Sequence, residues 1–283
     1  MTTALYEEEV PPPSPTFFAR LRRNPLAFGS LIVLGLIILI ALLAPVLAPY
    51  SFEAQTLSDK LLPPGGKHPL GTDELGRDTL SRLMHGARIS LLVALGVEAF
   101  VVTLGVLVGL MAGYFGGWLD QLLMRLTDIL LAFPDVLLAI LLLGTLGAAS
   151  ASPAVSMTLV ILSLGFTGWP PLARLVRGQV LTLRKREFVE ASRALGASNR
   201  RILLNHILPN LLSPLMVAVT VDIAGVILAE ATLSFLGIGV QRPFPSWGRM
   251  INGALEYYRT GPRLLILYAR YLAVTVLALN FLG

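Results

Sequence analysis

RKREFVEASRALGASNRRILLNHILP, Arg184 to Pro209, is the long polar interval in the second half of an otherwise apolar sequence. It reads as two short helices. In the first, Phe188, Ala191 and Leu195 fall at i, i+3 and i+7 and give one apolar face. Arg186, Glu190 and Arg193 form charged pairs on the other side. Gly196 can take a positive φ and close that helix. Ser198 or Asn199 can cap the second, whose Ile202, Leu203 and Ile207 form another apolar face. Pro209 stands where the chain re-enters an apolar run. A charged amphipathic pair between two apolar runs suits docking onto a membrane surface or a soluble partner. The alternative is a solvated loop that satisfies the bias of basic residues toward the cytoplasm.

The surroundings decide the class. The 283 residues are 55% hydrophobic and 14% charged, where soluble domains carry about 25% charged residues. An integral membrane protein follows. The absence of cysteine excludes disulfides, thiolate metal sites and cysteine nucleophiles. A pI near 9.8 is compatible with nucleic acid, but the arginines cluster beside apolar spans and no nucleic-acid motif accompanies them.

Working outward, residues 1–25 hold a glutamate run and a proline-rich segment, expected to be a disordered cytoplasmic tail and not a signal peptide. The remaining residues, 26–283, read as one transmembrane domain with six spans. The first is Leu26 to Ala48, long enough to cross about 30 Å of hydrocarbon. An external loop over 49–88 contains a short interfacial helix carrying Leu80, Leu83 and Met84. The second span is Ile89 to Ala112, in which Gly96, Gly105 and Gly109, with Gly113 just beyond, permit close helix approach. The third follows a turn at Tyr114–Trp118 and ends near Leu146, kinked by Pro134. A small uncharged turn, Gly147–Pro153, precedes the fourth, Ala154 to Leu172, with Pro170 and Pro171 at its inner end. The basic loop 173–209 is cytoplasmic, which also places the N-terminus in the cytoplasm. The fifth span is Leu211 to Leu233. An external loop, 234–262, has too many glycines and prolines between Ser234 and Gly248 for a regular helix throughout. The last span begins near Arg263, with Arg270 as an intramembrane cation that can snorkel outward or pair with an acid.

Three motifs carry a family resemblance. Glu190-Ala191-Ser192, then Gly196, then Leu208-Pro209 resembles the EAA loop of membrane subunits of binding-protein-dependent ABC importers. Two positions depart from the general pattern: Ser192 replaces a small apolar residue and His206 stands where isoleucine is usual. GTDELGRDTLSR, Gly71 to Arg82, and SFLGIGVQRPFPSWG, Ser234 to Gly248, resemble stretches of the dipeptide, oligopeptide and nickel branch. The resemblance spans about Arg22 to Gly283.

It implies an all-α type I importer permease with six transmembrane helices, in a prokaryotic inner membrane. The Arg184–Pro209 loop would be a coupling helix seated in a groove of a cytoplasmic ATPase. Glu190 would make an ionic contact there, Ala191, Ser192 and Leu195 the packed surface, and Gly196 the turn, with Arg193 also in contact with the ATPase. The partners implied are a homologous sister permease, with a heterodimer favoured, two ATPase subunits, an external substrate-binding protein and membrane lipid. ATP and magnesium would be bound by the ATPases.

The chain itself carries no phosphate-binding Walker motif, no nucleophile elbow and no clustered histidines, so neither catalysis nor a resident cofactor or metal is expected. Acids within the spans remain. Glu98, Asp222 and Glu230 are candidates for a polar substrate path, ahead of Asp128 and Asp135. The alternative role is an inter-helix pair or a contact with the sister subunit. The expected function is the pathway subunit of an ATP-driven importer of di- or oligopeptides. Import of nickel or another small solute is the close alternative. An ion-coupled secondary transporter is the alternative from another class, against which stand the docking loop and the absence of a visible inverted repeat.

Overall fold

The structure, a computed structural model, describes residues 24–147 and 152–283. The expected N-terminal tail and most of the turn after Gly147 lie outside the described residues. Helices α1 (Pro25–Leu47), α2 (Thr79–Phe115), α3 (Gly117–Leu131), α4 (Asp135–Thr145) and α5 (Pro153–Leu183) are followed by the short pair α6 (Glu187–Ala194) and α7 (Asn199–Ile202). A π-helical turn, Leu203–Ile207, leads into α8 (Leu208–Phe235), then α9 (Trp247–Leu255) and α10 (Pro262–Leu282). Among the described residues there are no strands, only one isolated bridge between Thr72 and Asp78.

Five helical stretches are long and apolar enough to cross a membrane, and α3 with α4 makes a sixth if the bent pair is one span. α1 shows why such a helix forms and where it faces. Asn24 caps it, its Oδ1 accepting from the amides of Leu26 and Ala27 at 3.2 and 3.3 Å, and Pro25 occupies the first turn, where no amide is missed. Its buried residues Leu34, Ile37, Ala41 and Ala44 recur at helical spacing and face α2 and α10. The other faces stay apolar and exposed, as lipid contact requires.

The most extensive helix contact joins α2 and α5. The glycine stripe read from the sequence lies along it. A Cβ on Gly109 would sit 2.6 Å from the Ala173 carbonyl oxygen, and one on Gly113 2.8 Å from Val180 Cβ. From the other side, Gly165 faces the Phe100 side chain at 2.7 Å. Glycine from both helices brings the backbones close enough for dispersion to act over the whole seam, the principal attraction available in lipid.

Several boundaries differ from the sequence reading. α2 begins at Thr79, so the expected interfacial helix and the second span are one helix of 37 residues. Asp78 starts it early by accepting from the Ser81 amide at 2.8 Å. α5 runs through Pro170 and Pro171 to Leu183, well past the expected end at Leu172. Its buried Leu172, Ala173, Val176 and Val180 are the residues packed on α2, and that packing outweighs the lost backbone bonds. At Pro134 the expected kink is a break: α3 and α4 meet at 84°. The segment after Ser246 forms α9, capped by the Ser246 hydroxyl, where the sequence reading had only loop.

Candidate functional site

The polar interval folds as two short helices, and its glycine closes the first. Gly196 has φ +80°. Its amide donates to Arg193 O at 3.0 Å, and the next amide, Ala197, donates to Ser192 O at 3.0 Å. Ser198 caps the second helix through the Arg201 amide at 3.4 Å. The apolar face is arranged differently from the expectation. Val189 is the fully buried residue of α6, whereas Phe188 and Leu195 point outward, Leu195 with 89% of its surface exposed. Of the residues predicted for partner contact, Glu190, Ala191, Arg193, Leu195 and Gly196 are exposed and Ser192 is half-buried. A cleft of about 590 Å³, lined by Leu183, Lys185, Arg186, Glu187, Phe188 and Asn210, opens beside the root of α6.

Ser192 and His206, the two departures from the family pattern, are partners. Ser192 Oγ donates to Phe188 O at 2.8 Å, which uses its single proton. It therefore accepts from His206 Nε2, 3.2 Å away. The bond ties α6 to the π turn that leads into α8. A second tie runs to α2: the Tyr114 hydroxyl donates to Asn199 Oδ1 at 2.8 Å. A third comes from Arg184, whose Nη1 donates to the Gly113 carbonyl at 2.9 Å, satisfying an orphan acceptor in the last turn of α2. The helix pair is thus fixed to two long helices while its outer face stays free.

The basic residues of α5 hold α3 as well. Arg177 donates to both oxygens of Asp120, at 2.5 and 2.6 Å, and Arg174 pairs with Asp128. Sequence reasoning assigned these arginines only to topology, and it placed Asp128 among possible path residues. Position alone could not reveal that the acids of one helix match the arginines of another.

At the far end of the bundle, the Gly71–Arg82 motif is a buried charge network. Asp73 accepts from Arg77 Nε at 2.7 Å and lies 3.1 Å from Arg82 Nε, and Arg77 also donates to Glu74 at 2.8 Å. Asp78 meets His68 Nδ1 at 2.9 Å. Asp73, Arg77, Asp78 and Arg82 are each at most 4% exposed. The nearby Arg249 guanidinium in α9 is held below its ordinary pKa, first by burial and then by Arg242 and Arg77.

The intramembrane acids separate into two places. Glu230 is fully buried and accepts from Ser234 Oγ at 2.6 Å and Ser90 Oγ at 3.3 Å. Ser90 Oγ in turn accepts from the Trp247 amide at 3.2 Å. This node fastens the Ser234–Gly248 motif to α2, and Glu230, its side chain turned into the protein, does not line the cavity that Asp222 lines. Asp222 instead lines a cavity of about 290 Å³ together with Asp135, Thr167 and Thr232. Glu98 of α2 faces Asp222 from behind. The structure therefore brings together Glu98, Asp222 and the less favoured Asp135.

Comparison with known proteins agrees with this architecture. Residues 105–283 match the family described as the binding-protein-dependent transport system inner membrane component, and residues 14–64 the N-terminal transmembrane domain of oligopeptide transport permease C. The chain is 39% identical to the dipeptide transport system permease protein of Bacillus subtilis (strain 168), over 93% of this chain and 81% of that one. It is 38% identical to the oligopeptide transport system permease protein of the same organism, over 93% and 84%. It is 40% identical to the glutathione transport system permease protein of Escherichia coli O6:K15:H31 (strain 536 / UPEC), over 98% and 89%. In fold it is similar to a chain of the MetNI methionine ABC transporter in an inward-facing conformation, with TM-score 0.57 and 21% identity over 71% of this chain and 92% of that one.

Proposed function

The chain belongs to the inner-membrane components of binding-protein-dependent transport systems, a multi-pass permease subunit that works with ATPase and binding-protein components, and on that premise we propose that it forms part of the pathway of an ATP-driven importer of di- and oligopeptides. A related sister permease completes the pathway as a heterodimer. Two cytoplasmic ATPases hold ATP and magnesium and bind the Arg184–Pro209 loop, and the N-terminus lies on the same side. The peptide reading draws on the dipeptide, oligopeptide and glutathione permeases named above.

One observation carries the coupling role. The loop presents Leu195, a large apolar side chain 89% exposed, beside exposed Glu190 and Arg193, on a helix pair whose opposite side is pinned through Val189, Ser192 and Asn199. An apolar tip held rigidly outward and flanked by charges fits a complementary protein groove better than free solvent. When the ATPases close, the pair moves as a unit and passes the displacement to α2 and α8. Packed helices then switch between discrete arrangements instead of deforming smoothly.

The test is co-purification from mild detergent of this chain with its sister permease and ATPases. Wild type retains the ATPases. The double variant Glu190→Ala with Gly196→Val inserts normally and loses them. Retention by the variant would refute the coupling role. Import that follows the ion gradient in the absence of the ATPases would establish the secondary-transporter alternative instead.

A further inference from the structure

An acid within an apolar helix needs an answer to its charge, and three of the six here have one in the protein. Asp120 and Asp128 meet Arg177 and Arg174. Glu230 is held by serines. Asp135, Asp222 and Glu98 are different. None of them takes part in an ion pair among the described residues. Glu98 is 5% exposed, and its carboxyl lies against that of Asp222 with no donor from any other residue. It faces Asp222, and Asp222 shares the cavity with Asp135. α4 and α8 thus place Asp135 and Asp222 on one cavity, with Glu98 of α2 behind Asp222.

The two threonine side chains of the lining add acceptors, and the Val136 amide at the start of α4 is taken by Asp135 itself, at 2.7 Å. The Thr232 hydroxyl donates to the Leu228 carbonyl at 2.8 Å, and the Thr167 hydroxyl to the Leu164 carbonyl at 3.2 Å. With their protons committed, both oxygens offer only lone pairs to the cavity. Val136, Leu164, Val226 and Leu228 complete an apolar wall. A carboxylate or phosphate would face the carboxyls of Asp135 and Asp222 here, whereas a cation would find charge and acceptors. Among the described residues no group of three or more side chains has the convergence that holds a metal ion. The dispersed carboxyls suit the larger, less demanding shell of an organic ammonium.

We propose that this cavity is a cation subsite that takes the protonated amino end of the transported solute during its passage. The proposal rests on the permease reading and adds which end of the solute this chain holds. At about 290 Å³ the cavity is at the lower limit of small-molecule sites, roughly 300 Å³, enough for a terminal residue but not for a whole oligopeptide. The counter-charge missing in the protein is therefore supplied by the cargo, transiently, in place of a permanent ion pair.

The chain contains no cysteine, so the Thr232→Cys variant carries one thiol at the cavity wall. That variant, assembled with sister permease and ATPases, is reacted with a cationic and an anionic methanethiosulfonate reagent. The cation should react at least tenfold faster, and adding Asp135→Asn and Asp222→Asn should bring the ratio near one. Millimolar dialanine should slow labelling several-fold, while N-acetyl-dialanine should not. Asp222→Glu in place of Asp222→Asn should restore the preference. Labelling indifferent to reagent charge, equal protection by both peptides, or a thiol inaccessible in the complex would each overturn the subsite, the last by assigning this face to the sister subunit. Dipeptide import by the wild-type complex is measured alongside. Its failure refutes the permease reading, whereas import with charge-blind labelling refutes the subsite alone.

Discussion

The Tyr114 hydroxyl donates to Asn199 Oδ1 at 2.8 Å, joining the end of the longest helix to the start of the second short helix in the polar loop. A single neutral bond contributes about 1 kcal/mol, too little to decide folding but enough to set how tightly two elements move together. Tyr114→Phe should therefore insert and assemble normally. Uptake per ATP hydrolysed should fall several-fold, because the loop then moves without carrying α2. Transport and hydrolysis measured on the same proteoliposomes check this, and an unchanged ratio refutes it.

Gly196 separates backbone strain from crowding. Its φ is +80°, yet a Cβ there would meet nothing within 4 Å. Left-handed backbone costs an ordinary residue about 1–2 kcal/mol, and asparagine tolerates it better than β-branched residues do. Gly196→Asn should retain the ATPases and Gly196→Val should lose most of them. Pull-down of the two variants side by side gives the comparison.

At Gly109 the constraint is the reverse. A Cβ would lie 2.6 Å from a backbone oxygen of α5, so Gly109→Val must push the two helices apart. Overpacking a close seam costs about 1–3 kcal/mol, sometimes more. Lower yield of folded protein by size-exclusion profile is expected, with Gly144→Val, at a site open to 4 Å, as the tolerated control.

Asp73 answers two arginines, at 2.7 and 3.1 Å, in a site only 1% exposed. Removing one member of a buried charge cluster costs about 3–5 kcal/mol because its partners stay buried and unpaired. Asp73→Ala should lower the thermal midpoint of the detergent-solubilised protein by several degrees or abolish folding. The paired change Asp73→Asn with Arg77→Gln should recover part of the loss.

Local signals carried much of the fold. The glycine stripe of α2 and the turn at Gly196 were legible because each depends on one residue type at a fixed spacing or conformation. So were the spans, whose apolar length is set by the bilayer. What stayed hidden depends on contacts between distant segments. Nothing in Phe188, Val189 and Leu195 reveals which of them turns inward, and Val189 lies off the stripe that periodicity selects. Pro170 and Pro171 read as a helix end because the packing that carries α5 through them comes from α2. Glu98, Asp222 and Glu230 look alike in sequence. Their separation follows from Ser234, four residues on along the same helix, together with Ser90, 140 residues away, which no local pattern links to Glu230. The pairing of Ser192 with His206 was hidden for the same reason, though two departures from one motif in the same loop were a signal that they compensate each other.

α2 is a rod as well as a span. Its 37 residues give it a length of about 55 Å, so a tilt of about 5° swings one end by about 5 Å relative to the other. One end begins beside the Asp73 charge network, and the other bonds to Asn199. Such a geometry trades force for travel: a small rotation at the polar loop reaches the opposite membrane face as a displacement comparable to the width of a side chain. The travel grows with helix length, so the extension of α2 beyond the bilayer at its Thr79 end lengthens the stroke.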